Sequence, residues 1–154
     1  MFTQRLKDNY IQTWYSKLEN CSKLNVYRYI KDDYYKKVYV CILTVKKFRH
    51  AFAQFRTGVH SLEIERGRYS NTPRHDRVCK LCSQGEVEDE EHFLLKCTAF
   101  ASLRQKYIPR KYYNTSSVHS MHILLASRNE TSIKNTAMYI YYSMMKRKHL
   151  YNML

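Results

Sequence analysis

Apolar residues recur at three- and four-residue intervals along most of this chain, the period of an amphipathic helix. Across residues 3–19, Leu6, Tyr10, Ile11, Trp14 and Leu18 share one face, with Thr3 placed to cap the start. Trp14 reads as core. A polar break at 20–25 leads into VYRYIKDDYYKK, too short and mixed to assign. The longest period runs from 38 to 55, through Val38, Cys41, Ile42, Val45, Phe48, Phe52 and Phe55. Its β-branched start, VYVCILTV, could pass for a buried strand, but the period continues through KKFRHAFAQF and predicts one long helix. Gly58 and Gly67 punctuate the next stretch, 56–70, with Gly67 at a turn or helix C-cap. Phe93, Leu94, Cys97, Phe100 and Leu103 form another stripe, and 118–127 a short helix. A last helix spans 132–151, capped by Thr131, with Ile133, Ala137, Ile140, Tyr141 and Met144 on its apolar face. The expected fold is mainly α, about five helices. Three stretches, 1–69, 70–104 and 105–154, are expected to form one compact domain.

The pattern changes between the second and third long helices. Residues 79–97 read Cys-x2-Cys-x9-His-x4-Cys, with Cys79, Cys82, His92 and Cys97 as candidate ligands. Two thiols separated by two residues can be presented from one turn, and an imidazole with a third thiol completes four donors. Zn²⁺ takes a tetrahedron of sulfur and nitrogen donors, and four protein ligands leave no open position for water. One structural Zn²⁺ is therefore the expected cofactor. Cys97 could instead be a plain core thiol, and Cys79 with Cys82 a redox pair, although no βαβ pattern surrounds them. The coincidence of four donors within nineteen residues favours the metal. On a straight helix His92 and Cys97 would point about 140° apart, so their turn must be tightened or distorted if both hold one ion. Glu86, Glu88, Asp89, Glu90 and Glu91 precede that turn, where acids complement a helix N-terminus. His60 reads as structural, and His119 and His122, at i, i+3 without a third ligand in sight, as surface or packing residues ahead of a metal pair. Asp32-Asp33 lacks the aromatic neighbour and third carboxylate of a polymerase metal pair.

Charge adds a partner. The chain carries +14 overall, divided as +7 over residues 1–50, −1 over 51–103 and +8 over 104–154. A nearly neutral metal segment between basic wings points to a polyanion, RNA or DNA ahead of a membrane surface. Arg66, Arg68, Arg74, Arg77 and Lys80 surround the motif and are the expected phosphate contacts. No apolar run approaches the about 20 residues of a membrane span. The charged start lacks a signal region, so an intracellular protein, nuclear or cytoplasmic, with free thiols is expected.

Several of these residues carry a resemblance. Glu65-Arg66-Gly67-Arg68-Tyr69, Cys79-x2-Cys82, Glu88-Asp89-Glu90, His92-Phe93, Cys97 and Arg104 are arranged within residues 62–104. The stretch resembles the zinc-binding segment that follows the reverse transcriptase in non-LTR (LINE-like) retrotransposon polyproteins, and the helices before it, from about Val38, do so more loosely. The resemblance implies that Cys79, Cys82, His92 and Cys97 hold zinc and that the segment binds nucleic acid beside a polymerase. The chain has no polymerase palm motif and no endonuclease, so it would be a detached or reused element, or a non-functional remnant.

The expected function is a zinc-stabilised nucleic-acid-binding module with no catalytic residues. No Ser/His/Asp or Cys/His constellation stands out, and a saturated shell offers no Lewis-acid position. The alternative is a zinc-stabilised protein-interaction module, with the acid-rich loop 85–91 and the tyrosines as contacts to a protein partner.

Overall fold

The computed structural model describes every residue except Met1, Asp32, Asp33, Tyr35, Lys36 and Leu154, and only the backbone of Phe2. The Asp32-Asp33 pair thus lies outside the described residues. Helix dominates, as the periodicity predicts, but in more pieces. Eight α-helices occur among the described residues: α1 (Phe2–Glu19), α2 (Asn25–Ile30), α3 (Tyr39–Ile42), α4 (Lys46–Arg56), α5 (Glu63–Tyr69), α6 (Ala101–Tyr107), α7 (Val118–Leu125) and α8 (Glu130–Tyr151). His92–Lys96 is a ninth helical element, a π turn, against the about five expected from the period. None of these helices is long and apolar enough to cross a membrane.

The extra pieces arise where a buried side chain or a cap outcompetes the local period. The expected helix over 38–55 breaks at Leu43 (φ −83°, ψ 82°), and Val45 is extended (φ −73°, ψ 112°) before α4 begins. Ile42, Thr44 and Val45 are β-branched and lose side-chain freedom in a helix, so the interruption is cheap here. It turns Leu43 into the core and leaves Val45 outside, and Arg49 donates to the Leu43 carbonyl at 3.2 Å. Tyr39 then packs edge-on against Phe52, ring centroids 5.1 Å apart, and Arg56 lies over both rings.

Helix ends obey local chemistry that the period does not show. At the end of α4 the Val59 N–H donates to the Gln54 carbonyl (2.8 Å) and the Gly58 N–H to that of Phe55 (3.3 Å), with Gly58 at φ +66°. This is a Schellman cap. The same cap closes α5, where Asn71 takes the positive φ (51°) and the Thr72 N–H donates to Gly67 at 2.8 Å. Gly67 is therefore inside α5, not at the expected turn. A Cβ there would lie 2.6 Å from the Arg77 side chain, so the glycine lets Arg77 cross the helix. Ser117 and Asn129 cap α7 and α8 through the N–H groups of Ser120 and Ser132, and Asn129 replaces the expected Thr131.

α8 is the spine, packing on α3, α4, α6 and α7. Phe93 sits fully buried at the centre, within 5.6 Å of Phe55, 5.0 Å of Phe100 and 6.0 Å of Tyr139 between ring centroids. The metal segment is thus part of the core. By contrast α1 stands largely apart. Leu6 and Tyr10 are exposed, and Trp14 is only half-buried, edge-on to Tyr15 and Tyr34. The expectation of a core tryptophan is not met, since Trp14 keeps part of its surface exposed.

Candidate metal centre

A short antiparallel hairpin supplies the first two candidate ligands. The Cys79 N–H donates to the Glu86 carbonyl (2.9 Å) and the Glu88 N–H to that of Arg77 (2.8 Å), with Val78 bridged to Val87. Gly85, at φ +67°, turns the loop between them. The chain then enters a helical turn capped by Asp89, whose carboxylate accepts the His92 N–H at 3.0 Å and whose carbonyl accepts that of Phe93 at 3.0 Å. The acid run thus includes a true cap.

The five-residue spacing of His92 and Cys97 is resolved by that turn. The Cys97 N–H donates to the His92 carbonyl at 2.7 Å, a bond that closes five residues instead of four. A π turn of this kind brings both residues to one side, so the expected distortion is a widening and not a tightening. Cys97 itself (φ −51°, ψ 123°) has left the helix.

All four predicted ligands converge. Cys79 Sγ and Cys97 Sγ are 3.8 Å apart, Cys82 Sγ and His92 Nε2 are 3.4 Å apart, and the four donor atoms lie within 4.8 Å of one another. A tetrahedron with Zn–S of about 2.3 Å and Zn–N of about 2.0 Å has edges of about 3.8 Å between sulfurs and about 3.5 Å between sulfur and nitrogen. The donor set and spacing fit a metal ion bound entirely by protein. The hydrogen bond with Cys97 holds the Cys79 thiol well below its usual range, while the same bond pushes Cys97 up, and burial raises Cys82. A metal entering here displaces the remaining thiol protons.

His92 is oriented from behind. Its Nδ1 faces the Glu86 carboxylate at 3.2 Å, leaving Nε2 directed at the sulfurs. Burial would lower the imidazole, but the hydrogen bonds to Cys79 and Glu86 outweigh it and raise it. A carboxylate on the far nitrogen fixes the ring and the tautomer of a ligating histidine. In the sequence Glu86 is only one of a run of helix-start acids; the fold alone assigns its partner.

Tertiary donors hold the π turn. Tyr139 donates to the Phe93 carbonyl at 2.7 Å, and the buried Arg104 donates to those of Leu94 (3.0 Å) and Cys97 (2.7 Å). Glu88, fully buried, accepts two bonds from Arg147 (2.7 and 2.6 Å) and one from the Glu63 N–H (2.8 Å). This clamp ties α8 and the start of α5 to the metal segment. Arg147 carries a signal in the sequence, since it continues the apolar stripe Ile133–Ala137–Ile140–Met144 at helical spacing instead of facing solvent with Lys148.

The expected phosphate contacts all lie close to acids or carbonyls of the same region. Arg66 lies 3.5 Å from Glu63, Arg68 3.0 Å from Glu65, Arg74 3.1 Å from Asp89 and Lys80 3.6 Å from Glu63. Arg77 lies across Gly67 and donates to the carbonyls of Thr72 and Ile64, both at 2.8 Å. His60 contacts Glu90 at 3.1 Å, and His122 stacks on Tyr29. These two histidines outside the cluster thus have the structural placements expected of them. Comparison with protein-family models, with curated proteins and with solved structures found no match for this chain.

Proposed function

We propose that this chain is a zinc-stabilised nucleic-acid-binding module with no catalytic step of its own, of the kind that its residues 62–104 resemble beside LINE-like reverse transcriptases. The observation carrying this reading is the division of charge. Four of the six acids of the metal segment are paired locally, Glu88 with Arg147, Glu90 with His60, Glu91 with Lys96, and Asp89 with Arg74 and the His92 N–H, while Asp76 and Glu86 stay exposed. A chain of net charge +14 then presents its excess cations outward, among them the exposed Lys46, Lys47 and Lys148. Such a surface favours phosphate backbones. Of the contacts expected near the motif, Arg66, Arg74 and Lys80 keep side chains 53%, 64% and 56% exposed and remain within reach of a phosphate.

Zn²⁺, when bound by Cys79, Cys82, His92 and Cys97, supplies a cross-link between hairpin and π turn. The four protein donors leave no position for substrate. Elemental analysis of purified protein should return one zinc per chain. Removing it with a chelator should expose residues 70–104 to protease while most helix survives. Titration of RNA and DNA oligonucleotides should show affinity falling steeply with salt, the negative log–log slope steepening by about 0.7–0.9 per phosphate neutralised. Absent binding at low salt, or binding indifferent to salt, refutes the proposal.

A further inference from the structure

A groove between α4 and α8 contains none of the four candidate metal ligands. It encloses about 820 Å³, with Phe55, Ile140 and Met144 as an apolar floor. Lys47, His50 and Lys148 stand on its rim and enter no ion pair among the described residues, and none of its lining residues is Asp or Glu. Lys47 lies 5.1 Å over the Tyr141 ring and Arg66 5.4 Å over that of Tyr151. Val59 and Met145 on its walls are 47% and 54% exposed.

Cations around an apolar, ring-bearing cleft are the pairing that single-stranded nucleic acids require, phosphates outside and bases stacked within. An acidic peptide would use the rim but not the floor. The volume lies within the about 300–1,000 Å³ of ligand pockets, enough for a dinucleotide and too small for a duplex. We propose that this groove is a binding site for single-stranded nucleic acid, RNA or DNA, an inference that rests on the nucleic-acid reading given above.

The test measures fluorescence anisotropy of labelled oligonucleotides with the full, zinc-loaded chain. The groove variant is Lys47→Glu/Lys148→Glu, and the control is Lys106→Glu/Lys111→Glu, which matches its charge but lies outside the groove. The groove pair should weaken single-strand binding by about tenfold or more, against less than about threefold for the control, and should lower the salt slope by about 1.4, or about 0.7 per lost contact. A strand bearing bases should bind about tenfold or more tighter than its abasic counterpart, since stacking contributes at each base. Equal effects of the two pairs would overturn the proposal. So would an abasic strand or a duplex that binds as tightly as the single strand, or polyglutamate that displaces it at matched charge. If the wild-type chain binds single strands but the groove pair does not alter this, only the groove assignment falls. If it binds no nucleic acid at low salt, the functional reading falls with it. Should the Glu variants fail to fold by circular dichroism and zinc content, Lys47→Gln/Lys148→Gln gives the same comparison.

Discussion

The clamp between Glu88 and Arg147 is the most exacting test of how α8 holds the metal segment. Both residues are buried, at 0% and 2% exposure, and two short charged hydrogen bonds join them. Arg147→Met keeps most of the side-chain volume but strands the Glu88 carboxylate, with only the Glu63 N–H left as donor. Breaking one side of a buried pair costs about 3–5 kcal/mol, because the remaining charge has neither water nor partner. Glu88→Gln keeps the shape and leaves Arg147 near Glu63 at 3.6 Å, so it should cost less, about 1.5–3 kcal/mol. The double variant holds no stranded charge, and its loss should fall short of the sum by about 1 kcal/mol or more. Urea unfolding in saturating zinc, read as shifts of midpoint at constant m, measures all three. A single variant within about 0.5 kcal/mol of wild type, or strict additivity, would show that the pair does not clamp the fold.

Arg104→Met should leave the carbonyls of Leu94 and Cys97 without their donors, costing about 3 kcal/mol in urea unfolding and weakening zinc retention against a chelator. Glu86→Ala, which frees the His92 ring, should lower zinc affinity by about 10–100-fold in a competition titration while Glu86→Gln retains most of it. Gly67→Ala should drive a methyl group into Arg77 and destabilise by about 1–3 kcal/mol, and an additional Arg77→Ala should relieve the clash. Burial raises Tyr139 to about 12, so the folded state keeps a phenol proton that the unfolded chain loses from about pH 10. Stability should fall across that window by about 1.4 kcal/mol per pH unit, and Tyr139→Phe should remove this share of the decline at the cost of one hydrogen bond.

Local features along the chain determined a good deal. Residues 118–127 and 132–151 announce α7 and α8 because a long apolar stripe can be buried only as a helix there. The four candidate ligands are evident from spacing, since two thiols in one turn and a nearby imidazole and thiol are properties of a short segment. The distortion at His92–Cys97 comes from helical geometry, although its direction does not. The tertiary structure decided the rest. The break at Leu43 depends on what core space lies beside it, which no period records. Gly67 looks like a helix terminator until Arg77 is laid across it, and Arg147 looks like a basic tail until Glu88 is buried opposite. Glu86 looks like any helix-start acid until the hairpin delivers it to the back of His92. Backbone period is set by neighbours a few residues away and can be read in order. A buried charge or a close approach is set by residues as far apart as the 59 positions between Glu88 and Arg147, and only folding brings them together.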